Sequence, residues 1–115
     1  MAPKLYMTDV SPSVRSVLLT AKTLNVKLEK VYIDMMGGDH LSPAFLKMNP
    51  QHTVPTLVDG DVVIWDSHAI MIYLVHKYSP NDNSLYPVDP YKRAEIDQIL
   101  FFNSGVLFPP FRKAV

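Results

Sequence analysis

Asn49-Pro50-Gln51-His52-Thr53-Val54-Pro55-Thr56-Leu57, followed shortly by Trp65-Asp66-Ser67-His68-Ala69-Ile70, decides how this chain is read. Two turn prolines precede a short apolar run, Thr56 to Val58, and a second run extends from Val62 to Trp65. Asp59-Gly60 between the runs is a strong hairpin signal, so they predict an antiparallel pair of strands. The stretch from Ser67 to Tyr78 is apolar nearly all round and predicts a buried helix.

Working outward from the hairpin, Ser42-Pro43 opens a short helix to about Met48. Ser11-Pro12 opens an earlier helix in the same way, with serine as N-cap and proline at the first helical position. Val14, Val17, Leu18, Ala21 and Leu24 recur at helical spacing, and Asn25 is the expected stop. Lys4 to Met7 reads as a first strand. Lys27 to Ile33 reads as a second, ended by Gly37-Gly38. The order β-α-β-α-β-β-α closes on a hairpin, so the sheet is mixed. Right-handed crossovers and short connections then favour an α/β arrangement with helices packed on that sheet. Three parts are expected: a domain at 1–79, a polar, proline-bearing linker at 80–90, and a helix within 91–115. Asp89-Pro90 caps that helix, Ile96, Ile99, Leu100 and Leu107 form its apolar stripe, and Gly105 and Pro109-Pro110 are expected to break or kink it. Nothing in the sequence covers the stripe.

Composition narrows the function. The chain has 115 residues, with eleven basic and eleven acidic side chains. This balance disfavours nucleic acid or an anionic membrane as the main partner. There is no cysteine, so disulfides, cysteine-zinc sites and cysteine nucleophiles are excluded, and thiol chemistry requires a thiol brought by a ligand. Met1 to Lys4 lacks a signal-type apolar run, and Ala69 to Val75, the longest one, is too short to span a bilayer. A cytoplasmic protein is expected. His40, His52, His68 and His76 have no metal-binding spacing, and no phosphate loop is present.

The polar residues bordering the apolar runs suit the grip of a small charged peptide. Ser11 sits where a strand hands over to a helix, and backbone N–H groups with the helix dipole favour an anion such as a thiolate there. The same residue is equally an ordinary cap, as Ser42 is, and Arg15 one turn on is open to a purely structural role. Backbone groups of Val54 beside a cis Val54–Pro55 bond would pair with an extended peptide; a trans bond is the ordinary state. Asp66-Ser67 offers a carboxylate for an ammonium group and a hydroxyl at a helix start for a carboxylate, or simply two candidate caps. His40 and His52 are candidate donors to a carboxylate. Met35, Met36 and Phe108 suit either an apolar pocket or core packing.

Taken in order, Ser11-Pro12 with Arg15, Gly38-Asp39-His40-Leu41, Asn49 to Pro55, Asp66 to Ile70 and Ser84-Leu85-Tyr86-Pro87 resemble the cytosolic glutathione S-transferases, most of all the insect epsilon class and its delta-class relatives. The resemblance implies a thioredoxin-like domain followed by the start of an all-helical one. It implies glutathione as co-substrate, conjugation to a hydrophobic electrophile in detoxification, no metal, and a homodimer of the full-length form. By position it assigns Ser11 to the thiolate, His40 and His52 to the glycine carboxylate, and the Val54 backbone, beside a cis Pro55, to the cysteinyl unit, with Thr53 and Pro55 among the glutathione-binding residues. Asp66 and Ser67 fall to the γ-glutamyl head group. His68 stands where delta-class relatives have arginine, and Arg112 resembles the compensating epsilon-class arginine. Met35, Phe108 and Phe111 resemble electrophile-pocket residues. Family members continue further as helices, so a glutathione-binding module without useful turnover is the rival expectation.

Overall fold

The computed structural model describes residues 2–82 and 84–110, and the chain divides into two compact units, one ending at Ser79 and the other beginning at Pro80. The first contains β1 (Lys4–Met7), α1 (Pro12–Thr23), β2 (Glu29–Tyr32), a 3-10 turn (Asp39–Leu41), α2 (Pro43–Met48), β3 (Thr56–Asp59), β4 (Val62–Trp65) and α3 (Ser67–Tyr78). The strands form one sheet in the order β2-β1-β3-β4. β1 is parallel to β2 and antiparallel to β3, and β3 is antiparallel to β4. This is the mixed sheet that the element order predicts, in the thioredoxin-like form that the resemblance implies.

Local chemistry explains the elements. Ser11 and Ser42 cap α1 and α2, each accepting from a backbone N–H three residues on at 3.3 Å, with proline at the first helical position. At the other end of α1, Asn25 turns left-handed at φ 59. Asn25 N–H then donates to Lys22 O at 3.1 Å and Val26 N–H to Ala21 O at 2.8 Å, the paired bonds of a Schellman stop.

Period-two alternation sends Leu5 and Met7 of β1 to one face of the sheet, where they meet Val14, Val17 and Ala21 of α1, Leu57 of β3, and Ile70 and Leu74 of α3. Each such side chain contributes about 1.5–3 kcal/mol when fully buried. Tyr6 has the opposite orientation and packs edge-to-face on Phe45 of α2, ring centres 6.0 Å apart.

Two expectations for this unit need correcting. Asp59 is not a turn residue: it ends β3 paired with Val62, and the loop is Gly60-Asp61, with Gly60 at φ 61. Asp59 is held in the strand by long-range bonds, since its Oδ2 accepts from Tyr73 O–H at 2.8 Å, Lys77 Nζ at 2.6 Å and Tyr78 O–H at 3.2 Å. Nor is α3 buried all round. Ser67, Ile70, Leu74 and Val75 are buried, while Ala69, His76 and Lys77 are exposed, because the sheet and α1 cover one stripe of the helix.

In the second unit Asp89 caps α4 (Pro90–Phe102), accepting from Lys92 N–H at 3.0 Å. Residues of the expected linker are tied to this helix. Tyr86 O–H donates to Asp97 at 2.6 Å, and Arg93 donates to Pro87 O at 2.7 Å while lying 4.3 Å from the Tyr86 ring centre. The helix is not broken at Gly105 or Pro109-Pro110. It widens into a π turn over Asn103–Leu107, where Phe108 N–H donates to Asn103 O, and continues helical to Pro110.

No residue of α4 is buried. Ile99 is 68% exposed, Phe101 74% and Leu107 56%. Apolar exposure on this scale marks an interface or an aggregation liability. The isolated chain is expected to self-associate at micromolar concentration and to bind a dye for exposed apolar surface. Size-exclusion with light scattering checks this; a monodisperse species of about 13 kDa without dye binding would contradict it.

Candidate functional site

Strand register gathers the polar residues singled out above. Met7 lies opposite Tyr32, Tyr6 opposite Thr56, and Thr56 opposite Trp65. The ends of β1, β2 and β4 and the start of β3 therefore share one end of the sheet. Ser11 follows β1, His40 follows β2, His52 to Pro55 lead into β3, and Asp66-Ser67 follow β4. Segments far apart in sequence thus converge.

Ser11 is half-buried at the start of α1. Its capping bond to Val14 N–H uses an oxygen lone pair and leaves the hydroxyl hydrogen available as a donor. The cap and thiolate roles are compatible. Arg15 donates through Nε to Asp9 O at 3.1 Å, which fastens the β1–α1 connection.

His40 and His52 are brought together, with ring centres 6.1 Å apart. His40 Nδ1 is buried without a hydrogen-bond partner among the described residues, and a buried polar atom of this kind calls for one. His52 is exposed and left-handed at φ 47. The Val54–Pro55 bond is cis. Among the described residues neither the N–H nor the C=O of Val54 is hydrogen-bonded. Thr53 instead faces inward, with its hydroxyl accepting from Asn49 Nδ2 at 3.1 Å.

At the start of α3 the two candidate caps separate. Asp66 is the cap, its Oδ1 accepting from His68 N–H at 2.9 Å, and it occupies a positive φ of 80 that is uncommon for a side chain other than glycine. Ser67 is the first helical residue and is buried. Its hydroxyl lies 3.5 Å from His68 Nδ1, which is also 3.5 Å from Asp66 Oδ1. Backbone strain at a polar junction is a recurrent mark of a working site. The Asp66 side chain remains more than half exposed, so its carboxylate can meet a cation from solvent.

Met35 is partly exposed in the turn after β2, and Met36 is fully exposed. Phe108 belongs to the second unit, in the helical continuation of α4. Phe111 and Arg112 lie outside the described residues. Two further features have no signature in the sequence. Asn49 is fully buried and hydrogen-bonded throughout the loop before β3. The Asp59 cluster joins β3 to α3, with Lys77 over the rings of Tyr73 and Tyr78 at 5.8 and 5.5 Å. Burial, together with the adjacent Asp59, pushes both phenols up.

Comparison with known proteins gives the family. The family profile described as "Glutathione S-transferase, N-terminal domain" matches residues 5–82. Glutathione S-transferase 1 of Manduca sexta is 51% identical over 113 residues, 97% of this chain and 52% of the relative. An epsilon-class glutathione S-transferase from the housefly Musca domestica superposes with a TM-score of 0.89 at 53% identity, covering 93% of this chain and 49% of that one. A glutathione transferase homologue from Drosophila mojavensis, solved with bound glutathione, gives a TM-score of 0.89 at 50% identity, covering 93% and 48%. The chain spans about half the length of the curated relatives it matches. With its fold and profile match in agreement, the chain belongs to the glutathione S-transferase family, and its residues 5–82 match the family's N-terminal domain.

Proposed function

We propose that the chain binds glutathione at this end of the sheet and, with an electrophile pocket in place, conjugates the glutathione thiolate to hydrophobic electrophiles. The observation that carries the proposal is the register that collects Ser11, His40, Val54 and Asp66-Ser67 in one place. In this reading the Ser11 hydroxyl donates to the thiolate at the start of α1, where the helix dipole also favours the anion. The Val54 N–H and C=O pair with the cysteinyl unit as a strand would. His40 and His52 donate to the glycine carboxylate. Asp66 takes the γ-glutamyl ammonium, and Ser67, with the N-terminus of α3, takes its carboxylate. The thiolate attacks an electrophilic carbon, the new bond is carbon–sulfur, and the leaving group departs with its electron pair. A homodimer and a role in detoxification accompany this reading, supported by family membership.

The rival reading is a glutathione-binding module without turnover. Glutathione titration of the 115-residue chain beside a conjugation assay separates the two. Saturable binding with turnover supports the transferase; binding alone supports the module; absence of binding overturns both. Asp66→Ala is expected to weaken glutathione binding about ten- to a hundred-fold, the loss of one charge-assisted bond of about 1.5–3 kcal/mol, with little change in the chemical step. Wild-type affinity in this variant would contradict the γ-glutamyl assignment.

A further inference from the structure

We infer that Asn49 is a positioning residue that aims the Val54 N–H out of the domain, acting through the carbonyl of Thr53. The inference rests on the glutathione reading of the site.

Asn49 follows α2 and is completely buried, as is Thr56 at the start of β3. Its amide Nδ2 lies 3.0 Å from Thr53 O, 3.1 Å from Thr53 Oγ1 and 2.9 Å from Thr56 Oγ1. Its Oδ1 accepts from Gln51 N–H at 2.9 Å, and its backbone O accepts from His52 N–H at 2.9 Å. Thr56 Oγ1 also donates to Thr53 O at 2.8 Å. The Thr53 carbonyl thus receives two hydrogen bonds from buried side chains, and its oxygen is fixed toward the interior.

The Thr53 carbonyl and the Val54 N–H belong to one peptide group. That group is planar, and the only cis bond among the described residues is the next one, Val54–Pro55. In a trans peptide the C=O and N–H point in opposite directions. Holding the Thr53 oxygen inward therefore turns the Val54 N–H outward, where it has no partner among the described residues. A buried asparagine thereby sets the direction of a donor at the binding surface without touching the ligand.

The test uses the 115-residue chain with Asn49→Asp, Thr56→Val and Thr56→Ser, each assayed for glutathione binding by calorimetry and for backbone amide exchange. Asn49→Asp keeps the acceptor for Gln51 but sets a carboxylate oxygen against the Thr53 carbonyl. Thr56→Val removes the second bond to that carbonyl at nearly constant volume; Thr56→Ser retains the hydroxyl. In Asn49→Asp and Thr56→Val the dissociation constant of the folded fraction is expected to rise at least about ten-fold, with faster exchange confined to residues 51–54. Thr56→Ser is expected to bind several-fold more tightly than Thr56→Val. A role confined to stability would lower the melting temperature but leave the affinity of the folded fraction unchanged. Wild-type affinity in folded Asn49→Asp, or equal affinity in the two Thr56 variants should Asn49→Asp not fold, overturns this inference alone. No binding by the wild-type chain overturns the glutathione reading, and this inference with it.

Discussion

Asp59→Ala is expected to destabilise the N-terminal unit by about 1.5–3 kcal/mol, the net value of hydrogen bonding to a charged group. The figure is kept below that for a fully buried ion pair because Lys77, 46% exposed, returns to water when its partner is lost. Burial pushes the Asp59 carboxyl up, but hydrogen bonds from Lys77, Tyr73 and Tyr78, with the charge of Lys77, outweigh it and hold the carboxyl below the ordinary carboxylate range. The hydrogen bond to Asp59 likewise pushes the Lys77 ammonium above the ordinary lysine range. A carboxyl depressed in the folded state contributes stability above its unfolded pKa of about 3.9 and loses it as pH falls through its lower folded value. A raised lysine contributes below about 10.4 and loses its contribution as pH rises through its higher folded value. The gap between wild type and Asp59→Ala is therefore flat across neutral pH and narrows progressively below about pH 4. Urea melts at neutral pH and at successive acid values measure it. A gap independent of pH would assign the cluster to packing alone.

Ser11→Ala is expected to raise the pKa of the bound glutathione thiol by about one to two units, since a charge-assisted bond of about 1.5–3 kcal/mol is lost and each unit corresponds to about 1.4 kcal/mol. A thiol near the ordinary value of about 8.5 is mostly protonated at neutral pH, so a competent enzyme would slow about eight- to twenty-five-fold, the ratio of thiolate fractions at pH 7. The variant also loses a helix cap, a stability cost of about 0.5–2 kcal/mol that must be separated from the chemistry. Ser42→Ala supplies the comparison, because Ser42 caps α2 with the same 3.3 Å geometry. Thiolate absorbance against pH at saturating glutathione is expected to shift for Ser11→Ala and to stay in place for Ser42→Ala. An unchanged titration in Ser11→Ala would reduce Ser11 to a cap.

The sequence by itself determined features whose physics is local. A serine oxygen reaches the N–H three residues on, so Ser11-Pro12 and Ser42-Pro43 announced their helices. Asn25 tolerates the left-handed turn that ends α1, and the short apolar-rich stretch Lys4 to Met7 reads as the strand it forms. These signals, in order, were enough for the mixed α/β fold and for the polar segments that border it. Tertiary structure decided what depends on partners far along the chain. Asp59 reads as half of a turn beside Gly60, yet donors fourteen to nineteen residues away hold it in a strand. Asn49 looks like one more loop polar until burial brings Thr53 and Thr56 to its amide. Asp66 and Ser67 are equal candidates to cap α3, and only the folded backbone, with Asp66 at φ 80, gives Asp66 the cap and leaves Ser67 inside the helix. The site as a place is tertiary as well: its segments meet because β1, β3 and β4 pair in one register, and pairing between strands is a contact that no short window of sequence contains.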